Sequence, residues 1–468
     1  MSKQNNETLP LILSLLITLG LLLGGLWWFA GRFVGLTGAL SPSSGETVPS
    51  GDPKTRLSMG ERLIFPEGAS AEKQVAVQAI ASRKYPEAIA ALETSLKARR
   101  NDPEALIYLN NARIGEQSSY AIAIPVPVAT DVNGSLEILR GVAQAQNEVN
   151  QAGGINGIPL KVVIANDDNN PAVAQQVARS LVENAAVLGV VGHYSSDVTL
   201  AAAQVYQASG LVAISPVSTS VKLSNYGDYI FRSVPSDFVA ARSLADYALT
   251  GLKRQKAAVF FNSQSGYSQS IKSEFGTALA LGGGQVVSEF DLADPAFSPS
   301  RALEQAMQQG ATVLALLPNT GQLDRAIQVV QLNQGRLPML GGDDVYAPRT
   351  LEVGQTAAND LIVAVPWHIL SNPQAPFVQS SRQLWGGDVN WRTVTAYDAT
   401  QALIAGLRRD PSRKGVQQVL RDAAFNVEGA TEGVRFLPSG DRNQTVQLVK
   451  IQPGRRSGYG YDFVPIPR

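Results

Sequence analysis

The chain has 468 residues, 44% apolar and 17% charged, the composition of a folded protein too long for one ordinary domain. Its 39 Lys and Arg balance 39 Asp and Glu, so no excess of positive charge points to nucleic acid. It has no cysteine, which excludes a disulfide framework, thiolate chemistry and a cysteine-linked lipid anchor.

Residues 1–8 form a polar tail, and residues 9–31 carry no charge. The uncharged run is long enough to cross a membrane, which takes about 20 residues, and Trp27 and Trp28 suit its interfacial end. One transmembrane helix is expected here. The rival reading is a cleaved signal peptide, with Thr37-Gly38-Ala39 as a small-residue cleavage site. Residues 32–70, rich in Ser, Pro and Gly (SPSSGETVPSGDP), read as a flexible linker. Residues 71–117 read as helices. Ala79, Ala88, Tyr85, Leu92, Leu96 and Pro103 resemble the spacing of a tetratricopeptide repeat, whose second copy is not completed. A small α-helical hairpin packed on its neighbour and a peptide-binding groove are both open at this point.

From residue 118 onward strand and helix patterns alternate, which implies parallel sheets. Strands are expected at 120–126, 159–165, 187–191 and 211–214, with helices at 135–152, 172–184 and 198–208 between them. A second series starts with a helix at 237–252. It continues with strands at 256–261, 285–290, 312–317 and 339–342, and a crossing segment at 361–365. A helix at 391–408 and a closing hairpin at 431–450 complete the chain. The acids of Asn166-Asp167-Asp168-Asn169-Asn170-Pro171 lack calcium-loop spacing and suit a helix start.

Catalytic patterns are missing. The two histidines, His193 and His368, make no H-E-x-x-H motif, and no serine sits in a G-x-S-x-G elbow. Gly282-Gly283-Gly284 follows a helix and precedes a strand, so it reads as a turn and not a phosphate cradle. His193 beside Ser195 reads as a residue that shapes its loop.

Gly192-His193-Tyr194-Ser195-Ser196, followed by Ile214-Ser215-Pro216 and a Ser/Thr run, resembles the leucine/isoleucine/valine-binding proteins, type I periplasmic solute-binding proteins of ABC importers. The segments LEILRGVAQAQNEVNQAGGINGIPLKVV, YIFRSVP, AYDATQAL and TEGVRFLPSGDRNQTVQLVK carry the resemblance further. It implies an α/β fold of two lobes, with parallel doubly wound sheets joined by three crossover strands. Lobe 1 would be about 118–235 and 366–428, and lobe 2 about 236–365 and 429–468. It also implies site residues. Ser196 would hold an amino acid's carboxylate, and Thr219 would touch both carboxylate and ammonium. Val217 and Ser218 would make backbone contacts, Tyr267 would be the second-lobe aromatic, and Asp343 would face the ammonium. Asp344 is expected to be an ordinary loop acid. An aromatic of the first loop is replaced by Ala129-Thr130-Asp131-Val132-Asn133, and Asp197 adds a negative charge beside Ser196. The implied protein is no enzyme. It would be an extracytoplasmic receptor for an amino acid or amide, membrane-anchored, partnered by an ABC permease, and without cofactor, metal or nucleic acid. The alternatives are an interaction scaffold, such as an activator of peptidoglycan synthases, and a ligand sensor not coupled to transport.

Overall fold

Two sheets organise the chain, each flanked by helices. The structure, a computed structural model, describes residues 53–430 and 432–467. The span expected at residues 9–31 lies outside the described residues. Among the described residues no helix is long and apolar enough to cross a membrane.

The first sheet holds β1 (Leu57–Ser58), β2 (Tyr120–Val126), β3 (Leu160–Asn166), β4 (Val187–Val191), β5 (Ala213–Ser215) and β6 (Ile230–Arg232), in the order β1-β3-β2-β4-β5-β6. β2 and β4 are apolar runs buried along nearly their whole length, as parallel strands covered on both faces must be. The second sheet holds β7 (Lys256–Phe261), β8 (Gln285–Asp291), β9 (Val313–Leu317), β10 (Met339–Gly341), β11 (Ile362–Val365), β14 (Gln447–Pro453) and β15 (Tyr461–Pro465), in the order β15-β14-β11-β10-β9-β7-β8. A two-stranded ladder, β12 (Val427–Glu428) with β13 (Gly433–Val434), stands apart from both.

Neither sheet is wholly parallel, which corrects the expectation. β1 runs antiparallel to β3, and β14 runs antiparallel to both β11 and β15. The reasons are topological. β14 and β15 are joined directly, so they pair as a hairpin, and a parallel pair needs a long crossover. β1 comes from the preceding segment and lies along the free edge of β3. That segment is not linker from Pro53 on. Leu57, Met59, Leu63, Ile64 and Phe65 are apolar and pack on the domain, and Arg56 pairs with Asp168 at 2.6 Å.

Three helices follow: α1 (Ala71–Ala81), α2 (Tyr85–Ala98) and α3 (Pro103–Ile114). Ser70 caps α1 by accepting from the Lys73 N–H, and Asp102 caps α3 by accepting from Ala105. Nearly every residue of α3 is buried, because it lies between α2 and the first helix of lobe 1, α4 (Val132–Gln151). Asn111 of α3 bonds the backbone of Val162 in both directions, its Nδ2 donating at 2.8 Å and its Oδ1 accepting at 3.1 Å. The three helices and lobe 1 are thus one packed body.

The remaining helices are α5 (Pro171–Glu183), α6 (Ser196–Ser209), α7 (Asp237–Asp246), α8 (Gly266–Leu281), α9 (Pro299–Gln308), α10 (Leu323–Asn333), α11 (Pro348–Gly354), α12 (Pro376–Trp385), α13 (Trp391–Arg409) and α14 (Arg413–Arg421). The helix expected over 237–252 ends at Asp246 and continues as a π-helical turn, Tyr247–Gly251. The hairpin expected over 431–450 is divided. β13 pairs with β12, a single bridge joins Phe436 to Arg442, and β14 belongs to the second sheet. The chain passes between the sheets after β6, after β11 and before β14.

Helices α4 and α13 pack against each other through Gly141. A Cβ there would lie 2.2 Å from the Thr393 carbonyl oxygen and 2.6 Å from the Tyr397 nitrogen, both backbone atoms that cannot turn away. Alanine would raise helix propensity by about 1 kcal/mol. The overpacking cost, about 1–3 kcal/mol, works against that gain and is expected to exceed it. Gly141→Ala is therefore expected to lower the urea midpoint; an unchanged or higher midpoint would show that the two helices separate freely.

Candidate functional site

The loops that leave the carboxyl ends of the strands face one another across the two sheets. Those following β2, β3, β4 and β5 meet those following β7, β9 and β10, around a cavity of about 510 Å³. This is where doubly wound sheets bind ligands.

In lobe 1, β4 runs into Gly192–Ser195 and then α6. His193 is buried, with Nδ1 2.6 Å from an Asp167 oxygen and Nε2 3.0 Å from the Tyr206 hydroxyl. It ties the loop to its neighbours and does not activate Ser195. Hydroxyls stitch this loop to the one after β5. Ser215 Oγ donates to the His193 carbonyl at 2.9 Å, and Ser218 Oγ donates to the Tyr194 carbonyl at 3.0 Å. Ser196 opens α6, where the helix N-terminus leaves N–H groups for an anion.

Behind these loops Arg232, 1% exposed, fixes the backbone. Its Nη1 donates to the carbonyls of Thr219 (2.7 Å) and Ser220 (2.8 Å), and its Nε donates to Asp441 (2.7 Å). Burial lowers the Arg232 pKa and Asp441 opposes that shift. Next to it the buried Asp237 is raised to about 6, chiefly by desolvation.

In lobe 2, Tyr267 near the start of α8 donates from its hydroxyl to Asp343 Oδ1 at 2.6 Å. Asp343 follows β10 and is 5% exposed. Burial is the largest cause of its raised pKa, with the Tyr267 bond pulling the other way. The Tyr267 pKa rises for the same first reason and because the Asp343 charge faces it.

Ser196, Val217, Ser218, Tyr267 and Asp343 all line the cavity. Thr219 does not. Its carbonyl accepts from Arg232 and from the Asp237 N–H, and its side chain lies by the Asp237 carboxyl. Asp344 is no ordinary loop acid. It lines the cavity and pairs across the lobes with Arg392 of α13 at 3.0 Å, while accepting from Thr320 at 3.2 Å. Burial comes first among the causes that raise its pKa, and Arg392 opposes it.

The sequence reading missed three residues. Asp131 caps α4 by accepting from the Gly134 N–H at 2.8 Å, and it also accepts from the Tyr194 hydroxyl at 2.6 Å. Tyr194 supplies an aromatic ring to a cavity whose first loop lacks one. Arg392 comes from residues that precede AYDATQAL, and nothing in the sequence names its partner. Asp197 also has a different role from the one expected. Its Oδ2 accepts from the Gly266 N–H at 2.9 Å, so its charge is spent on the N-terminus of a helix in the opposite lobe. Val221 adds another bridge between the lobes by donating to Ser270 Oγ at 3.1 Å.

Comparison with known proteins follows the same lines. A model of the family described as periplasmic binding protein matches residues 123–456. An amino acid binding protein of Pseudomonas aeruginosa is 37% identical over 133 residues, which is 28% of this chain and 35% of that protein. This chain therefore spans about a third of that relative's length. A Leu/Ile/Val-binding protein homolog of Brucella suis biovar 1 is 28% identical over 295 residues, 60% of this chain and 76% of the relative. A solved leucine binding protein of Thermotoga maritima superposes with a TM-score of 0.66 at 21% identity, covering 74% of this chain and 97% of that one. With the two-lobed architecture and the cleft at the strand ends, the match over residues 123–456 shows that this chain belongs to the periplasmic binding protein family.

Proposed function

We propose that this chain is an extracytoplasmic receptor for an amino acid, serving as the substrate-binding component of an ABC importer. The observation that carries the reading is the polarity of the cavity. One end has the N-terminus of α6 with Ser196, suited to a carboxylate. The other has Asp343, a carboxylate suited to an ammonium, held by Tyr267. An amino acid has both groups on one carbon. The relatives' names, amino acid binding and Leu/Ile/Val-binding, support the same reading. Those relatives are solute-binding proteins, and the proposed role involves no chemistry on the ligand. Closing of the lobes over the ligand would present both lobe surfaces to a permease. The anchor proposed at residues 9–31 would keep the receptor at the membrane.

Hydrogen bonds to charged groups contribute about 1.5–3 kcal/mol each, so three or four support micromolar affinity, about −8 kcal/mol. Isothermal titration of the full-length chain with the twenty common amino acids is expected to show micromolar binding of at least one. Absence of heat and of thermal stabilisation with all of them would reject the proposal.

A further inference from the structure

Beside the amino-acid cavity lies a second compartment of about 360 Å³. The two share Asp131, Thr320, Gly321 and Asp344, so they form one cleft with a waist. Arg392 lines the second compartment at that waist. It is 6% exposed and its guanidinium lies over the Trp391 ring, 4.3 Å from the centroid. An Nη2 hydrogen goes to Asp344, while Nε has no partner. A buried guanidinium short of acceptors is costly, so Arg392 favours an oxygen on the side that opens on the compartment.

The other cations of this compartment are already engaged, Arg140 with Glu137 at 2.8 Å and Arg349 with Asp324 at 2.9 Å. The waist therefore offers spare guanidinium donors on Arg392, next to carboxylate oxygens of Asp131 and Asp344. Each ligand end meets this set differently. A carboxylate would satisfy Arg392 but stand against Asp131 and Asp344. An ammonium or guanidinium would suit the acids but offer Arg392 no acceptor and stand against its charge. An aliphatic end would satisfy neither. A group that both accepts and donates matches; a hydroxyl has one hydrogen for two acids, whereas an amide can accept from Arg392 and donate to both Asp131 and Asp344.

We propose that the second compartment receives the far end of the ligand's side chain, and that this end is a terminal amide, a carboxamide or ureido group. Its carbonyl oxygen accepts from Arg392, and its N–H groups donate to Asp131 and Asp344. The proposal rests on the amino-acid reading above and adds the class of side chain. Arg392, Asp131 and Asp344 are then the specificity-determining residues.

The test is titration of the full-length chain with glutamine, citrulline, glutamate, arginine, leucine and alanine. Glutamine or citrulline is expected to bind at least tenfold more tightly than leucine, glutamate and arginine. In Arg392→Met the preference for glutamine over alanine is expected to fall to within about threefold. Reading the ratio separates a lost side-chain contact from a general weakening of lobe closure, which would move both ligands together. Asp131→Asn keeps the helix cap. It is the second variant if Arg392→Met does not fold, and it is expected to lower the same ratio at least threefold. Tighter binding of leucine, arginine or glutamate than of either amide-ended ligand overturns this proposal and leaves the amino-acid reading standing. An unchanged glutamine-to-alanine ratio in both variants overturns it as well. Failure of every amino acid to bind overturns both readings.

Discussion

Glu104→Ala is expected to lower the unfolding free energy by about 3–5 kcal/mol, the usual cost of removing one partner from a buried ion pair. Glu104 is fully buried at the start of α3. Its Oε1 accepts from the backbone N–H groups of Ile64 (2.7 Å) and Phe65 (3.2 Å) and from the Tyr108 hydroxyl (3.0 Å). Its Oε2 lies 2.7 Å from Lys73 Nζ, which also bonds Asp102 at 2.8 Å. One carboxylate thus joins the segment before α1, α1 itself and α3. Alanine would strand two backbone donors and leave the buried Lys73 with one of its two counter-charges. Glu104→Gln keeps an acceptor for the backbone donors but removes the charge facing Lys73, so an intermediate loss is expected. Urea unfolding followed by tryptophan fluorescence and by far-ultraviolet dichroism measures both. A loss below about 1 kcal/mol for the alanine variant would mean that the helical segment contributes nothing to the stability of the lobe it covers.

This network was beyond the reach of the sequence, and the reason is general. Patterns of apolar residues report which face of an element is buried, so the alternating strands and helices from Tyr120 to Val365 were legible. They say little about which polar residues meet across a large sequence separation. Glu104 and Ile64 are 40 positions apart, and Arg392 and Asp344 are 48 apart. The same limit hid the edge strand at Leu57–Ser58, because two residues carry no period. Sheet direction failed for a related reason. Alternation of strand and helix argues for parallel pairing, but β14 and β15 follow one another directly and had to pair as a hairpin. In the cleft, residues on contiguous motifs were legible: Ser196, Val217, Ser218, Tyr267 and Asp343 line one cavity. Thr219 sits on the same motif, yet its side chain lies outside the cavity lining, because Arg232 and Asp237 hold its carbonyl from behind. Resemblance located the loop; the packing behind the loop decided which side chain lines the cavity.

Asp343→Asn is expected to weaken amino-acid binding by about 2–4 kcal/mol, or roughly 30- to 1000-fold, since a buried ammonium would lose its counter-charge. The asparagine can still accept from the Tyr267 hydroxyl, so the site's shape is retained. Asp344→Asn provides the comparison. It frees Arg392 from its cross-lobe partner, so a loss of about 1–3 kcal/mol is expected, larger than a surface change of about 0.5 kcal/mol. Affinity alone does not separate the two roles, and pH does. Burial raises the Asp343 pKa, and a bound ammonium favours the ionised carboxylate and so pulls that pKa down. Ligand binding then releases a proton wherever Asp343 is partly protonated without ligand. Wild-type affinity is therefore full above the raised pKa and falls as pH drops through it. The amino acid's own carboxylate and ammonium do not titrate in that interval. Asp344 also has a raised pKa, first through burial and partly because the Asp343 charge faces it. Asp343→Asn should therefore bind weakly and lose the part of the fall due to Asp343, whereas Asp344→Asn should retain that part, moved toward acid by the loss of a neighbouring negative charge. Calorimetry in two buffers of different ionisation enthalpy reads the released proton directly. A wild-type affinity that is level across the interval, or an Asp343→Asn variant within threefold of wild type, would remove the ammonium from Asp343 and place it elsewhere in the cleft.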